Sequence, residues 1–263
     1  MDRQLDLYHG DCLEVLPRLA RASVDLVFTS PPYFNARAYA RWLTYEGYLD
    51  WLQNLLMRAR DVLRPGRPLV LNVSCVIEPR ASRAEESRRR PIPFDAVVRA
   101  ERAGFRFVDD ILWVKPDGAS GRAVKFAHHR RPVAYKPFQV TEYVLVFRRD
   151  DGGLVDNVIR AHPADVIAAS LVPDGYARTN VWEIAPETDP DHPAPFPLEL
   201  ARRVVRYYSF VGDTVLDPCM GRGTTGWAAL DLDRSFVGVE RDARYFRRAQ
   251  TELDARLAQA RLI

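Results

Sequence analysis

The stretch that most limits the fold is TVLDPCMGRGTTGWAAL, Thr214 to Leu230. An apolar strand runs into a glycine turn and then into a helical pattern. Gly221, Gly223 and Gly226 give the spacing G-x-G-x-x-G, and the next apolar run, SFVGVE, ends on Glu240. Such glycines permit a tight turn and the close approach of a ligand, and an acid at the tip of the second strand can accept from ribose hydroxyls. The unit reads as a site for an adenosine-containing cofactor. Little of the sequence follows Glu240, so the strands that complete the sheet are expected from earlier in the chain.

Short apolar runs at Leu5–Tyr8, Val24–Phe28, Pro68–Val73, Phe107–Val114, Thr141–Phe147, Thr214–Leu216 and Phe236–Val239 read as buried strands. Between them lie helical patterns. GYLDWLQNLLMRARDVLRPG repeats apolar residues at helical spacing and stops at Pro65-Gly66. PFDAVVRAERAGF, PLELARRVVRYYSFVGD and the tail ARYFRRAQTELDARLAQARL read the same way. Alternating strands and helices predict an α/β fold, a mostly parallel twisted sheet with helices on both faces. The least regular region, from about Asp150 to Pro197, is rich in Pro, Asp and Ala.

Asp217 stands in the turn before the glycines. A carboxylate there would repel a pyrophosphate, which seeks backbone N–H groups and a helix N-terminus. It suits a ligand carrying an ammonium group, which favours S-adenosylmethionine over NAD. The alternative is that Asp217 only caps the turn. An NAD-dependent oxidoreductase built on the same glycines would leave Ser-Pro-Pro-Tyr, residues 30–33, without a purpose. A cysteine after proline, as in Pro218-Cys219, is the nucleophile of enzymes that methylate carbon 5 of cytosine. Here the pair lies inside the glycine loop, where the cofactor belongs, which argues against that role.

The formal net charge is +3, from 38 basic and 35 acidic residues, and only Lys115, Lys125 and Lys136 are lysines. Guanidinium groups bind phosphate bidentately, although a compositional bias of the genome would also favour arginine. Basic residues gather in RASRAEESRRR (Arg80 to Arg90) and GRAVKFAHHRRPVAYKP (Gly121 to Pro137). Together these offer the basic, aromatic-containing surface that tracking a nucleic-acid backbone needs. Cys12, Cys75 and Cys219 are scattered, which predicts a reducing compartment without disulfides or zinc spacing. No apolar run reaches the roughly 20 residues of a membrane helix, and MDRQLDLYHG is not a secretory signal. A cytoplasmic, prokaryotic location is expected, at the nucleoid when acting on DNA.

One motif remains. TSPPY, Thr29–Tyr33, ends an apolar strand and precedes HPAPFP, His192–Pro197, and LDPCMGRGTT, Leu216–Thr225. With GDCLEVLPRLARASVDLVFTSPPY, DILWVKP and TEYVLVFRR, this order resembles the S-adenosylmethionine-dependent amino-methyltransferases of DNA. The match is to their β group, in which the catalytic motif precedes the cofactor motif. The likeness covers nearly the whole chain. It implies a Rossmann-like methyltransferase fold with one antiparallel strand and a circularly permuted motif order. Three regions follow: a catalytic half over residues 1–148, a target-recognition segment over 149–186 and a cofactor half over 187–263.

The resemblance also implies roles. Ser30, Pro31 and Tyr33 form the catalytic site, with Pro32 holding the turn. Asp217, Gly221, Gly223 and Thr224 hold the methionine part of the cofactor, and Glu240 the ribose. Asp11 and the backbone of Cys12 face the adenine, and Pro195, Phe196 and Pro197 line the methionine side. Thr29, Pro218, Cys219, Met220, Thr225 and Arg241 complete the cofactor set. Two positions depart from the family: Cys219 replaces its usual phenylalanine, and Arg222 stands where a small residue is common. Both put the side-chain packing of the loop in question.

An exocyclic amino nitrogen is a poor nucleophile, because its lone pair is delocalised into the base. The Ser30 hydroxyl and the Pro31 carbonyl can accept its hydrogens, and the two prolines fix the direction of that carbonyl. Tyr33 can stack on the flipped base. Transfer is then direct displacement at the sulfonium methyl, accelerated by positioning and requiring no metal. By the association within the family it resembles, serine in the first position leans toward N4 of cytosine over N6 of adenine. Arg88, Arg89, Arg90, Arg130, Arg131 and Lys136 are the expected phosphate contacts. Double-stranded DNA is the expected partner, and the family adds a homodimer and a cognate restriction endonuclease as candidates. A DNA-binding module that kept the fold without turnover is the non-enzymatic alternative.

Overall fold

The computed structural model describes residues 3–36, 41–80, 82, 84–116, 132–133, 137, 139–189 and 195–260. In chain order the elements are β1 (Leu5–His9), α1 (Cys12–Val15), β2 (Leu26–Thr29), α2 (Tyr45–Val62) and β3 (Pro68–Val73). Next come β4 (Val76–Glu78), β5 (Arg88–Arg90), α3 (Ile92–Arg102), β6 (Phe105–Val114) and β7 (Thr141–Arg149). Then follow α4 (Val155–Arg160), α5 (Ala164–Ala169), β8 (Val181–Glu183), α6 (Leu198–Tyr208), β9 (Thr214–Asp217), α7 (Thr224–Asp231), β10 (Ser235–Glu240) and α8 (Ala243–Ala260).

Eight strands form one sheet in the order β1-β10-β9-β2-β3-β7-β6-β8, and β4 pairs with β5 in a separate ribbon. Among the described strands of the sheet, only β7 runs against its neighbours. Successive side chains in a strand point to opposite faces, and the core divides accordingly. Val27, Leu69, Leu71, Leu145 and Phe147 pack under α2 and α3. Leu26, Phe28, Val70, Val144 and Val146 pack under α6, α7 and α8. Burial on both faces explains why these strands read as unbroken apolar runs.

Helix α2 starts where the Thr44 hydroxyl accepts from Gly47 N at 3.0 Å, a side-chain cap worth about 1 kcal/mol. Its buried residues, Tyr48, Leu49, Leu52, Leu55, Leu56, Ala59 and Val62, recur at three and four residues, and Pro65 stops the pattern. Helix α7 depends on glycine. Gly223 caps it at φ +90°, a left-handed conformation that a Cβ would strain. A Cβ on Gly226 would lie 2.7 Å from the Phe236 ring.

The connection after β9 leads outward to β10, and the connection after β2 leads the other way to β3. Their adjacent carboxyl ends, paired at Val27 and Leu216, form the crevice where open α/β sheets bind ligands. The region expected to recognise DNA, 149–186, divides. His162, just after α4, contacts Arg67 Nη2 at 3.0 Å and Asp213 Oδ1 at 3.4 Å. Both partners precede strands, so α4 sits at the amino end of the sheet, opposite the crevice. Strand β8 then runs parallel to β6, bringing Ile184 to Val114 O at 3.1 Å. No described helix is long and apolar enough to cross a membrane.

Candidate active site

The crevice opens into a cavity of about 1560 Å³ lined from both halves of the chain. Of the residues expected to hold the cofactor, Asp11, Cys12, Pro195, Phe196, Pro218, Cys219, Met220, Gly221, Thr224, Glu240 and Arg241 reach its wall. Thr29, Pro197, Asp217, Gly223 and Thr225 do not.

Glu240, at the tip of β10, accepts from Gly221 N at 2.9 Å through Oε2 and from Asp242 N at 2.7 Å through Oε1. Burial raises its pKa. Each oxygen keeps a further acceptor position, which suits ribose hydroxyls. Asp11 caps α1 by accepting from Leu13 N at 2.9 Å, and Arg241 Nη1 lies 3.8 Å from its other oxygen. Phe196 packs on Phe28 with ring centroids 5.4 Å apart. An acid at a strand tip, left-handed glycines and an apolar wall fit an adenosine carrying a methionine arm.

Asp217 behaves differently from a ligand to an ammonium group. It is 1% exposed, and its oxygens accept from Cys219 N at 3.0 Å and Thr225 Oγ1 at 2.7 Å. Burial pushes it up to about 6 against hydrogen bonds that favour the charge. In this geometry Asp217 holds the turn, the second of the two roles its position allowed. Hydrogen bonding with Cys12, then burial, drives the Cys219 thiol well above the usual range, so it is no thiolate nucleophile.

Arg222 is only 8% exposed. It pairs with Glu187 and with Asp189, the latter at 2.9 Å. Its Nε donates to Thr224 Oγ1 at 3.2 Å, and the guanidinium lies 4.9 Å above the Trp227 ring. The residue that departs from the family therefore has a full set of partners within the fold.

On the side expected to be catalytic, Ser30 to Tyr33 line the cavity directly after β2. Ser30 Oγ and Tyr33 Oη are 3.2 Å apart. Tyr33 Oη donates to Glu142 Oε2 at 2.9 Å, and Asn72 Nδ2 donates to the same oxygen at 2.9 Å. Lys115 Nζ donates to Glu142 Oε1 at 2.5 Å and lies 4.6 Å from the Trp113 ring. Asn72, Lys115 and Glu142 were not among the expected site residues. The one signal for them was polar residues within or just beyond the apolar runs of β3, β6 and β7.

The arginines Arg88, Arg89 and Arg90 form β5 of the ribbon that rises beyond the carboxyl end of β3. Arg88 and Arg89 are exposed, and Arg89 donates to Pro137 O at 3.0 Å. Arg90 instead pairs with Glu78 at 2.6 Å and stacks 4.8 Å over Tyr45. Arg130, Arg131 and Lys136 lie outside the described residues.

A family model described as DNA methylase, of the N6/N4 methyltransferase type, matches residues 24–251. The type II methyltransferase M.ScaI of Streptomyces caespitosus is 29% identical over 89% of this chain and 76% of its own length. The type II methyltransferase M.MjaI of Methanocaldococcus jannaschii is 30% identical over 84% of this chain and 82% of its own. Among solved structures, the candidate DNA modification methylase TTHA0409 of Thermus thermophilus, complexed with S-adenosyl-L-methionine, superposes with a TM-score of 0.78. It is 32% identical and covers 96% of this chain and 94% of its own. S-adenosylmethionine is the cofactor of this family, and the cavity suits it. With the glycine loop, the acid-tipped strand and Ser-Pro-Pro-Tyr at one crevice, the chain belongs to the N6/N4 DNA methylase family.

Proposed function

We propose that the enzyme methylates the exocyclic N4 of cytosine in double-stranded DNA at a specific sequence. The observation that carries this reading is Ser30, a hydroxyl rather than a carboxylate at the head of the motif. The cofactor supplies an electrophilic methyl group on a sulfonium.

The chain's own residues do the rest. Ser30 Oγ and the Pro31 carbonyl accept the two amino hydrogens. That draws the nitrogen toward tetrahedral geometry and aims its lone pair. The ring of Tyr33 supports the flipped base, which must leave the duplex to be reached. Glu240 holds the ribose, Asp11 and Cys12 flank the adenine, and Phe196 lines the methionine arm. Asp217 keeps the loop in shape from beneath.

Arg88 and Arg89, with Arg130, Arg131 and Lys136, contact phosphates. Arg90 serves the ribbon that presents the other two. The catalytic half spans 1–148 and the cofactor half 187–263. Of the intervening 149–186, the end nearest the cavity, around Pro186, reads DNA together with residues 118–137. The protein acts as a homodimer beside a cognate endonuclease.

The test is nucleoside mass spectrometry of DNA methylated by the purified chain. N4-methyldeoxycytidine is expected, and N6-methyldeoxyadenosine in its place would assign the enzyme to adenine.

A further inference from the structure

Beneath Ser-Pro-Pro-Tyr lies a chain of hydrogen bonds with a direction. Tyr33 has one hydroxyl proton and three acceptors within reach: Glu142 Oε2 at 2.9 Å, Ser30 Oγ at 3.2 Å and the Asn72 backbone O at 3.2 Å. The carboxylate is both the nearest and the only charged acceptor, so it takes the proton. The Ser30–Tyr33 bond must then be made by the serine proton. Asn72 Nδ2 gives one hydrogen to Glu142 at 2.9 Å, while its other faces Ser30 Oγ and Tyr33 Oη, each at 3.3 Å. Ser30 is thereby left as an acceptor toward the cavity. Lys115 holds Glu142 Oε1, which leaves Oε2 to Tyr33 and Asn72. Burial, then the charge of Glu142, keeps the Tyr33 phenol well above its usual range, so it carries its proton at neutral pH.

We infer that Glu142 is the final acceptor of the proton lost by the methylated amino group, reached through Ser30 and Tyr33. The inference rests on the reading that Ser30 grips the target amino group, and it applies equally to cytosine and adenine. As the methyl group arrives, positive charge builds on the nitrogen and one of its two hydrogens becomes surplus, so the proton leaves within the transfer step. Its N–H bond breaks as a new O–H forms at Ser30. The original serine proton passes to Tyr33 Oη, and the tyrosine proton passes to Glu142 Oε2. One proton moves in net from nitrogen to carboxylate, no electrons are exchanged, and Ser30 and Tyr33 end as neutral as they began. Glu142 lines the cavity and returns its proton to water once product leaves. Lys115 and Asn72 are positioning residues for this chain.

The experiment is single-turnover transfer of labelled methyl from S-adenosylmethionine to DNA, with the full chain in H₂O and in D₂O. Glu142→Gln and Tyr33→Phe are each expected to slow the step about 100-fold. S-adenosylhomocysteine affinity should stay unchanged and the solvent isotope effect should disappear. The double variant should be no slower than the slower single one, since both remove the same chain. Should Glu142→Gln fail to fold, Tyr33→Phe alone decides. Either variant within twofold of wild type overturns the relay, as do losses that multiply in the double variant. Wild-type protein that methylates no DNA base removes the proposed function itself, whereas active wild type with indifferent variants removes only the relay.

Discussion

Arg222 and Asp189 are joined by an ion pair 2.9 Å long, across 33 residues of sequence. It ties the glycine loop to the stretch that follows β8. Asp189 also receives Arg248 at 2.9 Å, so three segments meet at one buried carboxylate. A second bond from Arg222 to Glu187 makes this a clamp.

Arg222→Ala should therefore destabilise the fold by about 2 kcal/mol, the scale of hydrogen bonds to charged groups. Urea denaturation measures this. The same variant should weaken S-adenosylhomocysteine binding severalfold in calorimetry, because the loop loses its brace. Unaltered affinity would show that the loop keeps its shape without the clamp.

Asp217 links stability to pH. Its folded pKa is about 6, raised from 3.8, so between those values the folded protein holds a proton that the unfolded chain releases. Its contribution is fully present below the unfolded value and is lost as pH rises through about 6. Two units correspond to about 3 kcal/mol. Between pH 7 and pH 3, wild type should gain that much relative to Asp217→Asn, measured by chemical denaturation at each pH.

Gly226→Ala should cost about 1–3 kcal/mol by overpacking. Its new methyl would lie 2.7 Å from the Phe236 ring and 2.8 Å from the Leu253 side chain. A lowered melting temperature checks this. Shortening Phe236 to leucine in the same background should recover part of the loss.

The ribbon arginines should separate by role. Arg88→Ala should weaken DNA binding across all sequences and reduce the salt slope by about 1. Arg130→Ala with Arg131→Ala should flatten the slope further. Arg90→Ala should leave the slope alone and lower thermal stability, because its partners are Glu78 and Tyr45. Binding titrations across salt concentration distinguish these outcomes.

The sheet was legible because its strands are buried on both faces. Leu69 to Val73 and Val144 to Phe147 point alternately into two cores, which leaves runs of apolar residues. The strands that escaped notice, β4, β5 and β8, are three residues long, and β5 is wholly arginine. The motif residues from Ser30 to Tyr33 were legible because two prolines after a strand need a reason. Asn72 and Glu142 were harder to see. Asn72 is the one polar side chain of β3, Glu142 stands at the start of β7 just before its apolar run, and the pairing of β3 with β7 brings them together. The facing of Asp217 was open from sequence, because a carboxylate in a glycine turn can serve either the ligand or the loop.

The strand order has a consequence for synthesis. β1 is held in the sheet by β10, through Leu5 against Phe236, and β2 meets β9 through Leu26 against Val215. On the ribosome, the first two strands emerge long before the strands that lie between them. Contacts this distant in sequence form slowly, and until then the bare strand edges are open to aggregation. The nascent polypeptide therefore carries an incomplete sheet, and no methylation pocket, until its last two strands have been made.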